Sequence, residues 1–469
     1  MKRLRSGFGD TLRASLESNS GARLSRRTLL GGGLSAAMLA HAPGLAITQA
    51  FSQPAPFNDY RALVCVFLFG GNDSFNMVVP ASTAEYNVYA ASRQNLAIAQ
   101  SDLLPITPLN PDGAQYGLHP AMGAMQTLFE SGQAAFVVNM GPLIEPTTKL
   151  QYQAGSVDLP PQLFSHNDQQ DQWHSLKGKT PSNTGWGGRI ADLLRLSVSG
   201  QQLAVNTSVF GNNLFQAGDD SLAYTMGPNG PLTFEGFAAS GPGLEQRRAF
   251  EAIIGADYSS IYERAFAEVQ QRAISTADTV TTAIANAPML NTPFPTSSLA
   301  TQLQTVARLI AVRDDLGMQR QIFFVATGGF DTHDDQLVLQ PNLLADVSDS
   351  IAAFHAATVE LNVAQNVTTF TQSDFGRTLT SNGDGTDHAW GGVQLVAGGA
   401  VLGRTLYGRY PLLAIGGDDD VGGGRMIPTT SADQYAATIG RWFGIADADL
   451  DLVAPNLSNF ASRDLGFLV

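Results

Sequence analysis

The hydrophobic pattern alternates between two kinds of segment. Periodicity predicts strands over Arg61–Phe69, Ala134–Met140, Gln202–Asn206, Gln321–Thr327, Val367–Gln372, Gly392–Ala397 and Leu412–Ile415, several of them uniformly apolar. Apolar residues at helical spacing predict helices over Ala121–Ser131, Gly187–Leu196, Leu244–Asn286, Ser298–Leu316, Asn342–Leu361 and Ala432–Phe443. The last of these follows Ser431, whose hydroxyl suits an N-cap. Strands apolar on both faces belong in a parallel sheet with helices on both sides. The alternation therefore argues for an open α/β sheet, in which ligands bind at the carboxyl ends of strands. Leu244–Asn286 is too long and polar for that rhythm. It reads as a helical insertion, around 242–290, within one domain spanning 57–469.

Composition narrows the partners. The 469 residues carry a formal charge of −14, and residues 1–50 hold seven basic and two acidic side chains, so the remainder stands at about −19. Such a field repels nucleic acid and anionic membranes. An anionic substrate can approach only where bound cations reverse the sign locally. The basic residues of the first fifty have their own reading. In "LSRRTLLGGGLSAAMLAHAPGLAITQA", Arg26 and Arg27 precede a modest apolar run and then small residues. This is the pattern of a twin-arginine (Tat) signal peptide, with cleavage expected near Ala46 or Ala50 and a periplasmic or otherwise exported product. The run is well short of the ~20 residues that span a bilayer. No later stretch is long and apolar enough to span. The single cysteine, Cys65, lies inside an apolar strand and reads as a core residue.

The candidate chemistry gathers at strand ends. "FLFGGNDSFNMVVP" brings the first strand to two glycines and then to Asp73 and Ser74. "ATGGFDTHDDQ" offers Asp331 and His333, "TTFTQSDFGRT" offers Asp374 with Arg377 nearby, and "NGDGTDHAWGG" offers Asp384, Asp387 and His388. Imidazole and carboxylate are the usual ligands of zinc and of harder divalent ions. Each cluster alone is also ordinary turn chemistry; four at one kind of topological position point to a shared ion. "LFSHNDQQDQWHS" places Ser165 beside His166, which reads either as a nucleophile or as an N-cap serine before a short helix. Arg377 suits either a peripheral anion oxygen or a neighbouring acid. "GDDDVGGG", Gly417 to Gly424, reads as an exposed acidic turn without the ligand spacing of a calcium loop.

Taken together, "GGNDSFNMVVP", "FSHNDQQDQW", "TGWGGRIADLL", "GGFDTHDDQ", "SDFGRTLTSNGDGTDHAWGG" and "RMIPTTSADQYAATIGRWFG" resemble the exported bacterial family called domain of unknown function 1501. That family is in turn similar to the alkaline phosphatase and sulfatase superfamily. The resemblance implies an alkaline phosphatase-like mixed, mostly parallel sheet sandwiched between helices, with one or two divalent ions (zinc, manganese, magnesium or calcium) at the strand ends. Asp73, Asp331, His333, Asp374 and His388 match metal positions, Ser165 the nucleophile, and Ser74 is the second choice. Phe375 stands where the superfamily commonly has a histidine, which removes one ligand. The implied activity is hydrolysis of an anionic phosphate or sulfate ester. The alternative is a non-catalytic module for envelope assembly or polymer binding that keeps the fold. The family's genetic surroundings imply an exported protein partner.

Overall fold

The computed structural model describes residues 57–469 apart from 233, 235, 238 and 239. The twin-arginine segment expected over residues 1–50 lies outside the described residues. In chain order the strands are β1 (Arg61–Leu68), β2 (Val78–Pro80), β3 (Leu104–Ile106), β4 (Tyr116–Leu118), β5 (Ala134–Gly141), β6 (Asn206–Ser208), β7 (Tyr224–Thr225), β8 (Arg320–Thr327), β9 (Val367–Ser373), β10 (Gly392–Gly398), β11 (Leu406–Tyr407) and β12 (Thr430–Ser431). Nine of them form one sheet in the order β11-β5-β10-β9-β1-β8-β6-β7, with β12 also on β5. β10 runs antiparallel to both neighbours, while β1, β8, β9, β6 and β7 are mutually parallel. The sheet is thus mixed and mostly parallel, as expected.

The unbroken apolar run of β1 follows from its central place. Ala62, Val64, Val66 and Leu68 enter one core. That core includes Leu303 and Ile310 of the helix Ser298–Ala311 and Phe354 of the helix Gln336–Glu360. Leu63, Cys65 and Phe67 point the other way, into a core with Trp186 and Ile190 of the helix Trp186–Leu194 and with Tyr435 and Ile439 of the helix Ala432–Phe443. Helices therefore cover both faces. Truncating a fully buried member such as Phe67 to alanine costs about 3–5 kcal/mol.

Several element boundaries differ from the sequence pattern. The strand expected at Gln202–Asn206 begins only at Asn206. Leu412–Ile415 forms no strand; Leu412 and Ile415 are exposed, and Pro411 before them has no N–H to give a ladder. The expected helix Leu244–Asn286 is a pair, Gly241–Ile254 and Ile261–Ala285, interrupted around Gly255. Ile254 and Val280 are buried, but much of the pair's surface faces solvent. The helix expected from Asn342 starts at Gln336, carries Pro341 in its interior, and begins after Asp335 at φ 53°.

Register places the polar loops. Leu68 pairs with both Thr327 and Ser373, so β1, β8 and β9 end at one level. The segments Gly70–Asp73, Gly328–His333 and Asp374–Arg377 leave the sheet side by side. Antiparallel β10 starts at the same edge, which brings in His388 just before it. Among the described residues, no helix is long and apolar enough to cross a membrane.

Candidate metal centre

Two glycines shape the edge first. Gly70 sits at φ 115°, and a Cβ there would fall 2.3 Å from the Asp331 nitrogen. Gly71, at φ 83°, faces the Phe375 ring, with a Cβ 2.4 Å from its Cε2. Only glycine combines that backbone with those contacts. The pair lets the loop after β1 lie directly against the loops that carry Asp331 and Asp374.

Asp331 is the centre of the cluster. Its Oδ1 is 3.0 Å from His333 Nε2 and 3.3 Å from His388 Nε2, and its Oδ2 is 3.4 Å from His166 Nε2. His166, Asp331 and His388 offer ligand atoms that all lie within 4.8 Å of one another. Arg377, fully buried, donates to Asp331 Oδ1 at 2.7 Å. Burial pushes the Asp331 carboxyl up, but the hydrogen bond and charge of Arg377, with His166 and His333, outweigh it and hold the group below its ordinary value. The carboxylate is therefore ionised, and at 44% side-chain exposure it remains open to solvent.

The three histidines share one arrangement. His166 Nδ1 is 2.6 Å from Asp374 Oδ2, His388 Nδ1 is 2.7 Å from the Phe164 carbonyl, and His333 Nδ1 is 3.2 Å from Asp387 Oδ1. An oxygen at Nδ1 holds the proton there when the ring is neutral, and the Nε2 of that neutral form then faces Asp331 with its lone pair. His388 is pushed below the usual histidine range, first by burial. Its ring is neutral near pH 7, the form that binds a metal. His166 is raised, first by its bond to Asp374, against the effect of burial.

This donor set fits a divalent cation. His166 Nε2 is a buried polar atom with no hydrogen-bond partner. Two imidazole nitrogens and one carboxylate, with His333 Nε2 next to His388 Nε2, match zinc or manganese better than calcium, which prefers an all-oxygen shell. Phe375 packs its ring centroid 4.9 Å from His166 and 4.6 Å from His388. An apolar ring thus borders both histidines and offers an ion no ligand.

The remaining expected residues are placed around this centre. Asp374 lies behind it as the acceptor for His166, and also receives Gln170 Nε2 at 3.1 Å and the Gly70 N–H at 3.2 Å. Asp73 is buried apart from the three-residue cluster; Arg93 and Gln336 bond its Oδ2. Arg377 takes the acid-pairing role, since its other donors go to Gly70 O and to Thr386. Ser165 stands at the N-cap of the helix His166–Ser175, yet its hydroxyl caps no backbone N–H; it donates to Asp168 Oδ2 at 2.7 Å. Ser74 is buried, and its oxygen accepts the Val393 N–H at 2.7 Å. His166 was not among the metal positions drawn from the sequence. Its only signal there is its place in "FSHNDQQDQW".

Residues 60–453 match the family described as "Protein of unknown function (DUF1501)". No curated protein matches the chain. Among solved structures, the chain is similar to Ps i-CgsB in complex with k-i-k-neocarrahexaose, at TM-score 0.34 and 10% identity over 84% of this chain and 74% of that one. It is similar also to the PsFucS1 sulfatase from Pseudoalteromonas sp., at TM-score 0.31 and 10% identity over 83% and 68%. A third is an alkaline phosphatase PafA mutant, at TM-score 0.28 and 8% identity over 69% and 64%. Likeness this shallow carries no argument about chemistry, which rests on the side chains above.

Proposed function

The chain belongs to the DUF1501 family, and on that premise we propose that it is an exported, metal-dependent hydrolase of phosphate or sulfate esters. The observation that carries this reading is the convergence of the His166, His333 and His388 Nε2 atoms on Asp331. Those four residues would hold one zinc or manganese ion. Such an ion supplies Lewis acidity, which neutralises charge on the oxygens of an anionic ester. The ester class follows from the family resemblance and from the acidity of the body, which excludes anions without a cation. Export follows from the twin-arginine segment.

The protein groups have separate tasks. Arg377 fixes Asp331, and Asp374 fixes His166 with its Nδ1–H turned inward. Ser165 is the proposed nucleophile, with Asp168 as the proton acceptor 2.7 Å away. In this step Ser165 Oγ bonds to phosphorus or sulfur and the bridging ester oxygen leaves. The hydroxyl proton passes to Asp168, and the departing alkoxide takes a proton from solvent. Water then hydrolyses the serine ester, frees the inorganic anion and restores the hydroxyl.

The test is elemental analysis together with hydrolysis of p-nitrophenyl phosphate and p-nitrophenyl sulfate. Wild type, Asp331→Asn and Ser165→Ala are compared. Wild type should carry one ion and turn over an ester. Asp331→Asn should lose both properties, and Ser165→Ala should lose turnover alone. A second reading, a metal-holding module without catalysis, is favoured by Phe375 in place of a ligand. It wins if wild type keeps its ion and turns over neither ester.

A further inference from the structure

The acidic loop Gly417–Gly424 and the "RMIP" that follows play no part in the chemistry above. The loop is not a solvated turn throughout. Asp420 is buried, and its carboxylate receives the backbone N–H groups of Gly416 at 2.8 Å, Gly422 at 2.7 Å and Gly424 at 2.9 Å. Gly424, at φ 76°, lies so close to Leu379 that a Cβ would come within 2.6 Å of its backbone nitrogen. Asp419 is clasped by Arg409 through two bonds, at 2.9 and 2.6 Å. Three donors on one carboxylate satisfy it without a cation. The loop is therefore a rigid bracket, and the residue it delivers is Arg425.

Arg425 packs against the outside of the segment that carries His388. Its Nε donates to the His388 carbonyl at 3.1 Å, and its Nη1 to the Gly422 carbonyl at 3.1 Å. The guanidinium lies 5.1 Å from the centroid of the Phe164 ring, and Phe164 is the residue whose carbonyl fixes His388. Among the described residues, Nη2 has no acceptor, and the side chain is only half-buried. Arg377 and Arg93 also lie near the edge, but both are fully buried and bonded to carboxylates. A guanidinium held on its inner side and free on its outer side suits an oxyanion.

We infer that Arg425 holds a non-bridging oxygen of the anionic ester beside the metal centre; this rests on the hydrolase reading of that centre. The probe is inorganic phosphate, titrated calorimetrically into zinc- or manganese-loaded protein. Arg425→Gln should keep its ion and bind phosphate about tenfold more weakly or worse, the usual loss for a hydrogen bond to a charged group. Arg425→Lys should fall between. A second measurement uses wild type alone. Phosphate should protect Arg425 from phenylglyoxal, read by peptide mass mapping, only when the ion is bound. Equal phosphate affinity in wild type and Arg425→Gln, no phosphate binding by the loaded wild type, or no protection at Arg425 would each overturn the assignment. The metal content of the same samples reports separately on the hydrolase reading.

Discussion

The Nε2 atoms of His333 and His388 lie 2.9 Å apart. Each ring also has an oxygen at its Nδ1, so in the neutral Nδ1–H form of both rings two lone pairs face each other beside the Asp331 carboxylate. A shared cation removes that repulsion. Chelation of the purified protein should therefore lower its melting temperature. Restoring the ion at about 100 times its Kd should return about 2.7 kcal/mol of stability. Asp331→Asn and His388→Ala should melt alike with and without chelator. Wild type that melts identically in both conditions would remove the metal reading.

Asp374 acts on the metal through His166. Asp374→Asn keeps the shape but replaces an acceptor with a group that can donate to Nδ1, which weakens the hold on the useful tautomer. Loss of such an outer partner typically lowers metal affinity 10- to 100-fold, roughly. Competition against a chromogenic chelator measures it. An unchanged affinity would mean that the dyad is only a packing contact.

Asp73 and Arg93 form an ion pair with neither side chain exposed beyond about 1%. Arg93→Met leaves a buried carboxylate without its counter-charge. Removing one partner of such a pair costs about 3–5 kcal/mol, to be read from urea midpoints. The folded variant should still carry its ion. Loss of metal from well-folded Arg93→Met would return Asp73 to the ligand set.

Asp433, fully buried in the helix Ala432–Phe443, is pushed up from 3.8 to about 7, chiefly by desolvation. Bonds from Asn456 and Ser431 and the charge of Arg189 pull the other way and do not overcome it. The folded state thus holds a proton that the unfolded state has released between pH 4 and pH 7. The stabilising contribution is complete below pH 3.8 and declines as pH rises to about 7. The slope approaches about 1.4 kcal/mol per pH unit for one proton. Urea midpoints of wild type minus Asp433→Asn should fall across that window. A difference that stays level from pH 4 to pH 8 would contradict the shift.

What the sequence revealed depended on whether the signal was local. The strands β1, β5, β8 and β10 were legible because both faces of each are buried and most of their positions are apolar, whereas β9, VTTFTQS, was legible from its β-branched valine and threonines. Leu412–Ile415 misled because apolar side chains in an exposed loop look the same over four residues. Gln336–Leu339 escaped the helix because Pro341 suggests a break, while the helix begins a full turn before it. Asp331, His333 and His388 were legible as acid and histidine at strand ends. His166 was not, since its role comes from Asp374, more than two hundred positions away, and no local pattern records that contact. Asp73 showed the converse: it sits in the expected loop, but Arg93, on the helix Thr83–Arg93, neutralises it.

The parallel pairing of β1 with β8 and β9 also fixes an order of events. β1 comes near the start of the described chain, and its two partners come far along it. Closing such distant pairs makes folding slow, because the entropy of the intervening loop is spent before the contacts reward it. Asp331, Asp374 and His388 all lie at or beyond those late strands, so a chain still being synthesised has His166 but nothing for it to share. An ion bound by all four residues could be captured only once the ends of β8 and β10 and the helix that begins at His166 have come to one edge of the sheet.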